Sequence, residues 1–148
     1  MHYDNPMTVP LGSLLRITGA FVADAVILGE RCCDPFYREP ICVSMGAVFH
    51  LKLVQSRGLL ADLRRLRERW GVQLVGSVLD DKAEPLAGAA RPERLALLFG
   101  NEAQGLGADC LALCDRQVTI PMKLGADSLN VAVAADVFLH HFTAESHL

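Results

Sequence analysis

The sequence lacks an apolar run long enough to cross a membrane. Hydrophobic residues make up 51% of its 148 residues. A stretch such as AFVADAVILG at 20–29 is nevertheless interrupted by Asp24, and it falls well short of the roughly 20 residues that a membrane helix needs. No charged segment leads into a short apolar run with a small-residue cleavage site, so no export signal is recognised. We therefore expect a soluble, cytoplasmic protein with one apolar core.

The chain also lacks an excess of positive charge, because 14 Lys and Arg residues stand against 17 Asp and Glu residues and the net charge is −3. This balance argues against a protein that coats nucleic acid by bulk attraction, and any contact with RNA must be local. Local positive charge does occur in a cluster at Arg57, Arg64, Arg65, Arg67 and Arg69. A solvated helix face and a phosphate-contacting patch explain this cluster equally well.

The sequence also lacks the even number of cysteines that a complete disulfide framework needs. The 5 cysteines are an odd number, and Cys32 and Cys33 are adjacent, which suits a reducing compartment better than a disulfide framework. Cys110 and Cys114 can share a helix face, but no CxxC pair or HxxxH partner accompanies them. We expect free thiols that act as small apolar residues, and no metal site.

Strand and helix signals alternate along the chain. Residues 1–12 are expected to form an extended loop before a helix over roughly 14–21. Short apolar, β-branched runs predict strands at 25–29, 47–54, 71–78 and 94–100. Leucines and Trp70 repeat at helical spacing, which predicts an amphipathic helix over 59–70 that ends at Gly71. This order predicts an α/β fold, a mostly parallel sheet with helices on both faces, in a single domain over 1–148.

The last predicted helix has an unusual composition. From Ser128 to about Phe142 the sequence SLNVAVAADVFLHHF is apolar almost all round, with Asn130 and Asp136 as the main exceptions before the histidines. The terminal helix of a small domain should keep one polar face, so a helix without such a face must be covered by something else. A second copy of the chain is the simplest cover, which predicts a homodimer.

Two glycine-bearing segments follow predicted strands, LLFGNEAQGLG at 97–107 and TIPMKLGADSLN at 119–130. Ligands of open α/β sheets bind beyond the carboxyl ends of the strands, so both segments are placed to form a cofactor site. Neither segment contains GxxxxGK(S/T) or GxGxxG, which disfavours a phosphate-rich ligand. For either segment alone, an ordinary glycine-containing turn is an equally good interpretation.

In order and content, the two segments together resemble the second and third motifs of the SpoU (TrmH-like) branch of the SPOUT trefoil-knot RNA 2′-O-ribose methyltransferases. Phe99-Gly100-Asn101-Glu102 with Gly105-Leu106 is similar to the family's GNExxG(L/I). Ile120-Pro121-Met122 and Ser128-Leu129-Asn130-Val131-Ala132 are similar to its IPM and SLNVA. Upstream, Gly12 and Arg16 fall where the first motif has NxGxxxR, and residues 32–50 resemble the segment DP(F/L)YR…RVSMGAVF. The resemblance covers about residues 6–142.

This resemblance implies an S-adenosylmethionine-dependent RNA methyltransferase that acts on a ribose 2′-hydroxyl of rRNA or tRNA. It also implies a homodimer and a C-terminal trefoil knot, a rare exception to the rule that chains do not thread loops. The cofactor would bind in the knot. The residues that the resemblance implies for this binding are Leu98, Gly100, Ile120, Met122, Leu129 and Ala132.

The same resemblance nominates Arg16 as a catalytic residue. An arginine is an awkward base because its guanidinium stays protonated, so we expect Arg16 to clamp a phosphate and the developing alkoxide. A surface salt bridge is the alternative. Glu102 would order the cofactor loop or contact Arg16, and Ser128 and Asn130 would orient the hydroxyl or the motif-one loop. These three can also serve the backbone at the start of the last helix, Ser128 as its N-cap.

Three positions depart from the family pattern. Pro10 stands where motif one has asparagine, and Cys42 stands where an arginine usually precedes VSMGA. Only residues 1–3 correspond to the family's first strand, so we expect either that this strand is missing or that the sequence begins late in its frame. We also expect no separate RNA-binding domain, so that RNA recognition comes from the core dimer or a partner. A catalytically idle relative that binds RNA or S-adenosylmethionine is therefore the alternative to an active enzyme.

Overall fold

The computed structural model describes residues 2–3, 8–21, 23–101, 104–122 and 129–144. Its strands are β1 (His2–Tyr3), β2 (Val26–Leu28), β3 (Leu53–Gln55), β4 (Gln73–Ser77), β5 (Glu84–Pro85), β6 (Leu95–Phe99) and β7 (Arg116–Thr119). Its helices are α1 (Thr8–Ala20), α2 (Arg38–Val43), α3 (Leu59–Trp70), α4 (Ala108–Leu113) and α5 (Val131–Ala144). Short 3₁₀ helices lie at Ala47–His50 and Leu86–Gly88.

The strands form one 7-stranded sheet in the order β3-β2-β1-β6-β4-β7-β5. All of these neighbouring strands pair in parallel. Successive residues of a strand point to opposite faces of a sheet. In β6, Leu97 and Phe99 accordingly join an apolar cluster with α1 and α5, whereas Leu98 joins a second cluster with α3 and α4. Helices therefore cover both faces, and the predicted α/β fold with a parallel sheet is confirmed.

Helix α1 begins earlier than predicted, at Thr8. Pro10 therefore lies in the first turn of a helix and not in an extended loop. Proline is compatible with that place because the N–H groups of a first turn have no partner within the helix. The prediction for residues 1–12 was wrong for the part that forms α1.

The predicted strand over 47–54 was wrong in its first half. Met45 and Gly46 have φ angles of 54° and 79°, and this left-handed turn leads into the 3₁₀ helix at Ala47–His50. Val48 on that turn is buried in the core. The apolar pattern therefore came from packing against α1, and the strand β3 begins only at Leu53.

The strand β1 is short, yet it lies in the middle of the sheet. His2 pairs with Ile27 of β2 and with Leu98 of β6, so the expectation that the first strand is missing is corrected. The pairing with β6 begins only at Leu98, whereas β6 itself begins at Leu95. A groove of about 660 Å³ lies beside this earlier part of β6.

The path of the chain through residues 123–128 lies outside the described residues. The trefoil knot depends on that path and stays a prediction. Among the helices of the described part of the chain, none is long and apolar enough to cross a membrane.

Helix α5 packs its largest side chains into the core of its own chain. Phe138 is fully buried, and its ring meets that of Phe99 edge-on at a centroid distance of 5.6 Å. We expected this helix to have no polar face. That expectation is corrected, because Asp136 is exposed on its outer side. Val133 and Val137 remain 48% and 39% exposed there. They are the apolar residues of α5 that a second copy could cover, and the homodimer stays a prediction.

Helices α1 and α2 approach each other at a glycine. A Cβ atom at Gly12 would lie 2.6 Å from the Cβ of Val43 and 3.1 Å from the carbonyl oxygen of Pro40. Helix α2 can pack this closely because Gly12 has no side chain. A Cβ atom at Gly19 of the same helix would lie 3.5 Å from the Cβ of Ala47, which is an ordinary contact.

We expect Gly12→Ala to lower the free energy of unfolding by about 1–2 kcal/mol, because the cost of overpacking exceeds the helix propensity that alanine adds. Gly19→Ala is the matched control. It adds the same propensity without a clash, so it should leave stability unchanged or raise it slightly. Urea unfolding followed by circular dichroism measures both, and equal stability of the two variants would contradict the close approach of α2.

Candidate functional site

The carboxyl ends of three neighbouring strands surround a cavity of about 410 Å³. The strands β6, β4 and β7 lie side by side in the sheet although they are separated in sequence. The cavity is lined by Ser77–Asp80 at the end of β4, by Phe99–Asn101 at the end of β6, and by Ile120 and Met122 after β7. Ligands of parallel α/β sheets bind at this edge, so the cavity is the candidate site.

The loop after β6 folds back on itself at Gly100. Gly105 donates its N–H to the carbonyl oxygen of Asn101 at 2.8 Å, and the Asn101 side-chain oxygen accepts the N–H of Gln104 at 2.8 Å. A Cβ atom at Gly100 would lie 2.0 Å from the carbonyl carbon of Gly105. Any other residue at position 100 would force the loop open. This segment is therefore more tightly specified than an ordinary glycine-containing turn.

Asn130 caps the helix α5. Its side-chain oxygen accepts the N–H of Ala132 at 2.8 Å, and its carbonyl oxygen accepts the N–H of Ala134 at 2.9 Å. This is the N-cap role expected for an asparagine in that position. The cap directs the chain so that Leu129 and Val131, on either side of Asn130, both line the cavity.

The cavity brings together four of the predicted cofactor-binding residues, which are Gly100, Ile120, Met122 and Leu129. The other two, Leu98 and Ala132, are buried and do not line it. Leu98 packs against α3 and α4, because alternation along the strand turns it away from the face of Phe99. Motif similarity pointed to segments that line the cavity but did not resolve which of their side chains face it, and their role in cofactor binding stays a prediction.

Sequence reasoning missed the segment after β4. Val78, Leu79 and Asp80 line the cavity, and the N–H of Val78 donates to the carbonyl oxygen of Val118 on β7 at 3.0 Å. A signal did exist, because two acidic residues, Asp80 and Asp81, follow directly after an apolar strand. This pair of acidic residues predicts a place in the cavity only once the strand order is known, because that order puts β4 between β6 and β7.

Among the described lining residues, Asp80 is the one charged side chain. The Asp80 Oδ1 atom accepts the N–H of Lys82 at 2.9 Å. Further polar groups come from the side-chain amides of Asn101, Gln104 and Gln117. A polyphosphate would find no cationic partner in this part of the cavity. A neutral or positively charged ligand suits the described lining better.

An ion pair anchors the chain that follows Asp80. Arg116 donates from Nε and Nη2 to the two carboxylate oxygens of Glu84, at 2.9 and 2.5 Å. These hydrogen bonds hold the pKa of the Glu84 carboxyl below its usual range and raise the pKa of the Arg116 guanidinium. Arg116 also donates from Nη1 to the carbonyl oxygen of Ala90 at 2.9 Å. Residues 84–90 are thereby held beside β7.

All five cysteines are free thiols. The Sγ atom of Cys114 donates to the carbonyl oxygen of Cys110 at 3.2 Å, and burial raises the pKa of the Cys114 thiol to about 11. The thiol is therefore protonated at neutral pH and is a poor metal ligand. No group of three or more His, Cys, Asp or Glu residues that could hold a metal ion occurs among the described residues, and the absence of a metal stays a prediction.

Of the predicted catalytic residues, the two that the structure describes, Arg16 and Asn130, do not line the cavity. Arg16 is exposed on α1, a helix that packs against both α2 and α5, and it is not one of the described lining residues. Glu102 and Ser128 lie outside the described residues. Asn130 caps α5 between Leu129 and Val131, which line the cavity. Arg16 thus lies on a helix that packs against α5, and α5 contributes Val131 and Ala134 to the cavity lining.

Comparison with known proteins identifies relatives over nearly the whole chain. The profile of the SpoU rRNA Methylase family matches residues 10–140. An uncharacterized tRNA/rRNA methyltransferase of Mycobacterium tuberculosis is 38% identical over 141 residues, which are 93% of this chain and 48% of that protein. A 23S rRNA (guanosine(2553)-2′-O)-methyltransferase of Bacillus subtilis is 34% identical over 131 residues, which are 88% of this chain and 52% of that protein. The chain spans about half the length of these relatives.

Solved structures agree with the fold. The SpoU methyltransferase AviRb of Streptomyces viridochromogenes, in complex with AdoMet, superimposes with a TM-score of 0.86 at 28% identity, over 99% of this chain and 59% of that one. An AdoMet-bound rRNA methyltransferase of Sinorhizobium meliloti gives a TM-score of 0.87 at 28% identity, over 99% of this chain and 55% of that one.

Proposed function

The chain belongs to the SpoU rRNA methylase family, and from this membership we propose that it transfers a methyl group from S-adenosylmethionine to a ribose 2′-hydroxyl of ribosomal or transfer RNA. The observation that carries the proposal is the cavity in which Gly100, Ile120, Met122 and Leu129 meet. These residues belong to the two motifs by which the sequence resembles the family. The Bacillus subtilis relative, whose name specifies 2′-O-methylation of rRNA, supports the acceptor. A cytoplasmic location is part of the proposal.

The described lining residues fit S-adenosylmethionine, which supplies a methyl group on a positively charged sulfur. A volume of about 410 Å³ lies within the usual range of small-molecule sites. The loop at Gly100 and the segment after β7 line the cavity, and backbone N–H and C=O groups are of the kind that can hydrogen-bond an adenine edge. The carboxylate of Asp80 adds negative charge without a competing cation among the described lining residues, which favours a cationic ligand.

Arg16 is the proposed catalytic residue. Methyl transfer to a hydroxyl is a direct displacement that needs an aligned acceptor and the removal of the hydroxyl proton. Since a guanidinium stays protonated, Arg16 would hold an RNA phosphate and stabilise the developing alkoxide, while a phosphate or a water accepts the proton. Its exposure on α1 leaves it accessible to RNA. We retain Glu102, Ser128 and Asn130 as proposed positioning residues.

A second candidate function is that of an idle relative that binds cofactor or RNA without methyl transfer. The observation that favours it is Pro10, which lies on the same helix as Arg16 where the family motif has asparagine. A proline there lacks the side-chain amide that the family motif has on this helix. Both candidate functions predict cofactor binding, but only the active methyltransferase predicts methyl transfer to RNA.

We expect Gly100→Ala to weaken binding of S-adenosylmethionine by more than about tenfold, because the added methyl group forces the loop away from the cavity. Gly107→Ala is the matched control, since nothing lies within 4 Å of a Cβ atom at that glycine. Isothermal titration calorimetry measures both. A folded parent protein that releases no heat at millimolar cofactor would contradict the proposed cofactor.

We expect Arg16→Ala to reduce methyl transfer at least roughly a hundredfold while cofactor affinity stays nearly unchanged, because a transition-state contact is lost and the cofactor cavity is not. Arg16→Lys should rescue little, since an ammonium lacks the planar fork that can hold a phosphate and an oxyanion together. Arg91→Ala is the control, since Arg91 is an exposed arginine in the connection before β6 and does not line the cavity. Tritiated methyl transfer to total rRNA and tRNA, followed by nucleoside analysis, gives both the rate and the methylated atom.

The outcomes separate the candidates. A parent protein that binds the cofactor but transfers no methyl group to any RNA would favour the idle relative. Methylation on a base would contradict the 2′-hydroxyl as acceptor. Full activity of Arg16→Ala would show that Arg16 is not a catalytic residue, and Arg38 would then be the first arginine to test.

We also propose that the protein works as a homodimer that buries the outer face of α5. Val133 and Val137 are spaced by one helical turn on that face and form a narrow apolar stripe. Phe138 is unsuitable for a test because it is fully buried within the chain, so that a charge there would unfold the monomer.

We expect Val137→Glu to produce monomers, because it places a charge in an apolar contact. Val54→Glu is the matched control, since Val54 is 48% exposed on the edge strand β3. It should leave the assembly unchanged. Light scattering at micromolar concentration decides the matter, and a parent protein of 16.1 kDa in solution would reject the dimer.

A further inference from the structure

Four large apolar side chains lie on the surface around α2, at Phe36, Tyr37, Met45 and Phe49, and each is more than half exposed. We call this group the aromatic patch. The rings of Phe36 and Phe49 lie side by side in a tilted arrangement, with a centroid distance of 6.2 Å and an interplanar angle of 36°. They come from separate turns of the chain, so the fold, and not sequence adjacency, creates this exposed aromatic surface.

The backbone beneath the patch is well defined. The N–H of Phe36 donates to the Asp34 carboxylate at 2.8 Å. Ser44 is buried and donates its N–H to the carbonyl oxygen of Pro40 at 2.9 Å. Helix α2 and the 3₁₀ helix at Ala47–His50 both pack against α1. The exposed rings are therefore held on ordered elements and need little ordering to bind a partner.

Cationic side chains flank the rings. Arg38 follows Tyr37, and Lys52 follows the turn that carries Phe49, and both are exposed. Carboxylates lie in the same region: Asp34 accepts the N–H of Phe36, Glu30 accepts that of Leu59 at 2.9 Å, and exposed Glu39 follows Arg38. The patch thus combines exposed aromatic faces with two exposed cationic side chains that adjoin its rings in sequence.

We propose that the aromatic patch binds unpaired bases of the RNA substrate by stacking, with Arg38 and Lys52 at the adjoining phosphates. The inference rests on the proposed RNA methyltransferase function and adds to it the form of RNA that is recognised. Single-stranded nucleic acid is bound by aromatic faces interleaved with positive charge, whereas the bases of a duplex are already stacked and inaccessible. Since the chain carries a net charge of −3, RNA contact depends on such a local surface.

The position of the patch suits this role. Its supporting helix α2 packs on α1 at Gly12, and α1 also carries Arg16. RNA bound at the patch would therefore lie against the elements that present the proposed catalytic residue. The exposed valines of α5 are the separate surface that we assign to a second copy of the chain.

The test is the affinity for an oligouridine of about 12 nucleotides, compared with a duplex of similar length. We expect the double variant Phe36→Ala, Phe49→Ala to weaken oligouridine binding by roughly 10- to 100-fold, because stacking on two rings is lost, and to change duplex binding little. Trp70→Ala is the control, since Trp70 is an exposed ring on α3 that lies outside the patch. Fluorescence anisotropy gives the affinities.

A direct readout of stacking is available. In a Trp70→Phe background, Phe49→Trp creates a single tryptophan, and its fluorescence should be quenched on addition of oligouridine. Unchanged oligouridine affinity of the double variant, no binding by the parent, or an equal loss for single strand and duplex would overturn the proposal. A double variant that turns from dimer to monomer in light scattering would assign the patch to contact between chains and also overturn it.

The binding test of the aromatic patch and the methyl-transfer test of the proposed function can fail independently. If the parent protein binds oligouridine through the two rings but transfers no methyl group to any RNA, the proposed function fails and the stacking surface stands. If the parent transfers methyl groups and the double variant does so with unchanged KM, the stacking surface fails and the proposed function stands.

Discussion

A parallel sheet must be covered on both faces, because its strands are apolar on both sides, and the rest of this structure depends on that constraint. Successive residues such as Leu97 and Leu98 of β6 enter two different apolar clusters. Helices α1 and α5 cover one face, and α3 and α4 cover the other. Because all strands run in the same direction, the segments that follow β4, β6 and β7 meet at one edge and enclose the candidate site.

Helix α1 connects the parts that the proposed function requires. It packs against α5, whose first residues line the cavity, and against the elements that carry the aromatic patch. It also carries Arg16. Gly12 allows α2 to approach it closely. A displacement of α1 would therefore alter the cavity wall, the proposed catalytic arginine and the proposed RNA contact together.

Polar contacts between distant residues fix the connections around this core. Glu30 caps α3 by accepting the N–H of Leu59 at 2.9 Å. Asp115 accepts the N–H of Leu74 and pairs with Arg67, each at 2.8 Å. Arg67 belongs to the arginine cluster of the sequence, so at least part of that cluster serves the fold. Such contacts join residues tens of positions apart, and no local pattern predicts them.

The sequence by itself determined the fold class, the helix that ends at Gly71 and the two loops of the cavity, because periodicity, glycine placement and motif spacing are local properties. The tertiary structure decided which residues of those segments face a ligand. Asp80 reaches the cavity because the strand order brings β4 between β6 and β7. Val137 and Phe138 are adjacent and both apolar, yet Phe138 is buried and Val137 is exposed. Packing against α1 selects the inward side of α5, and that contact exists only in the folded chain.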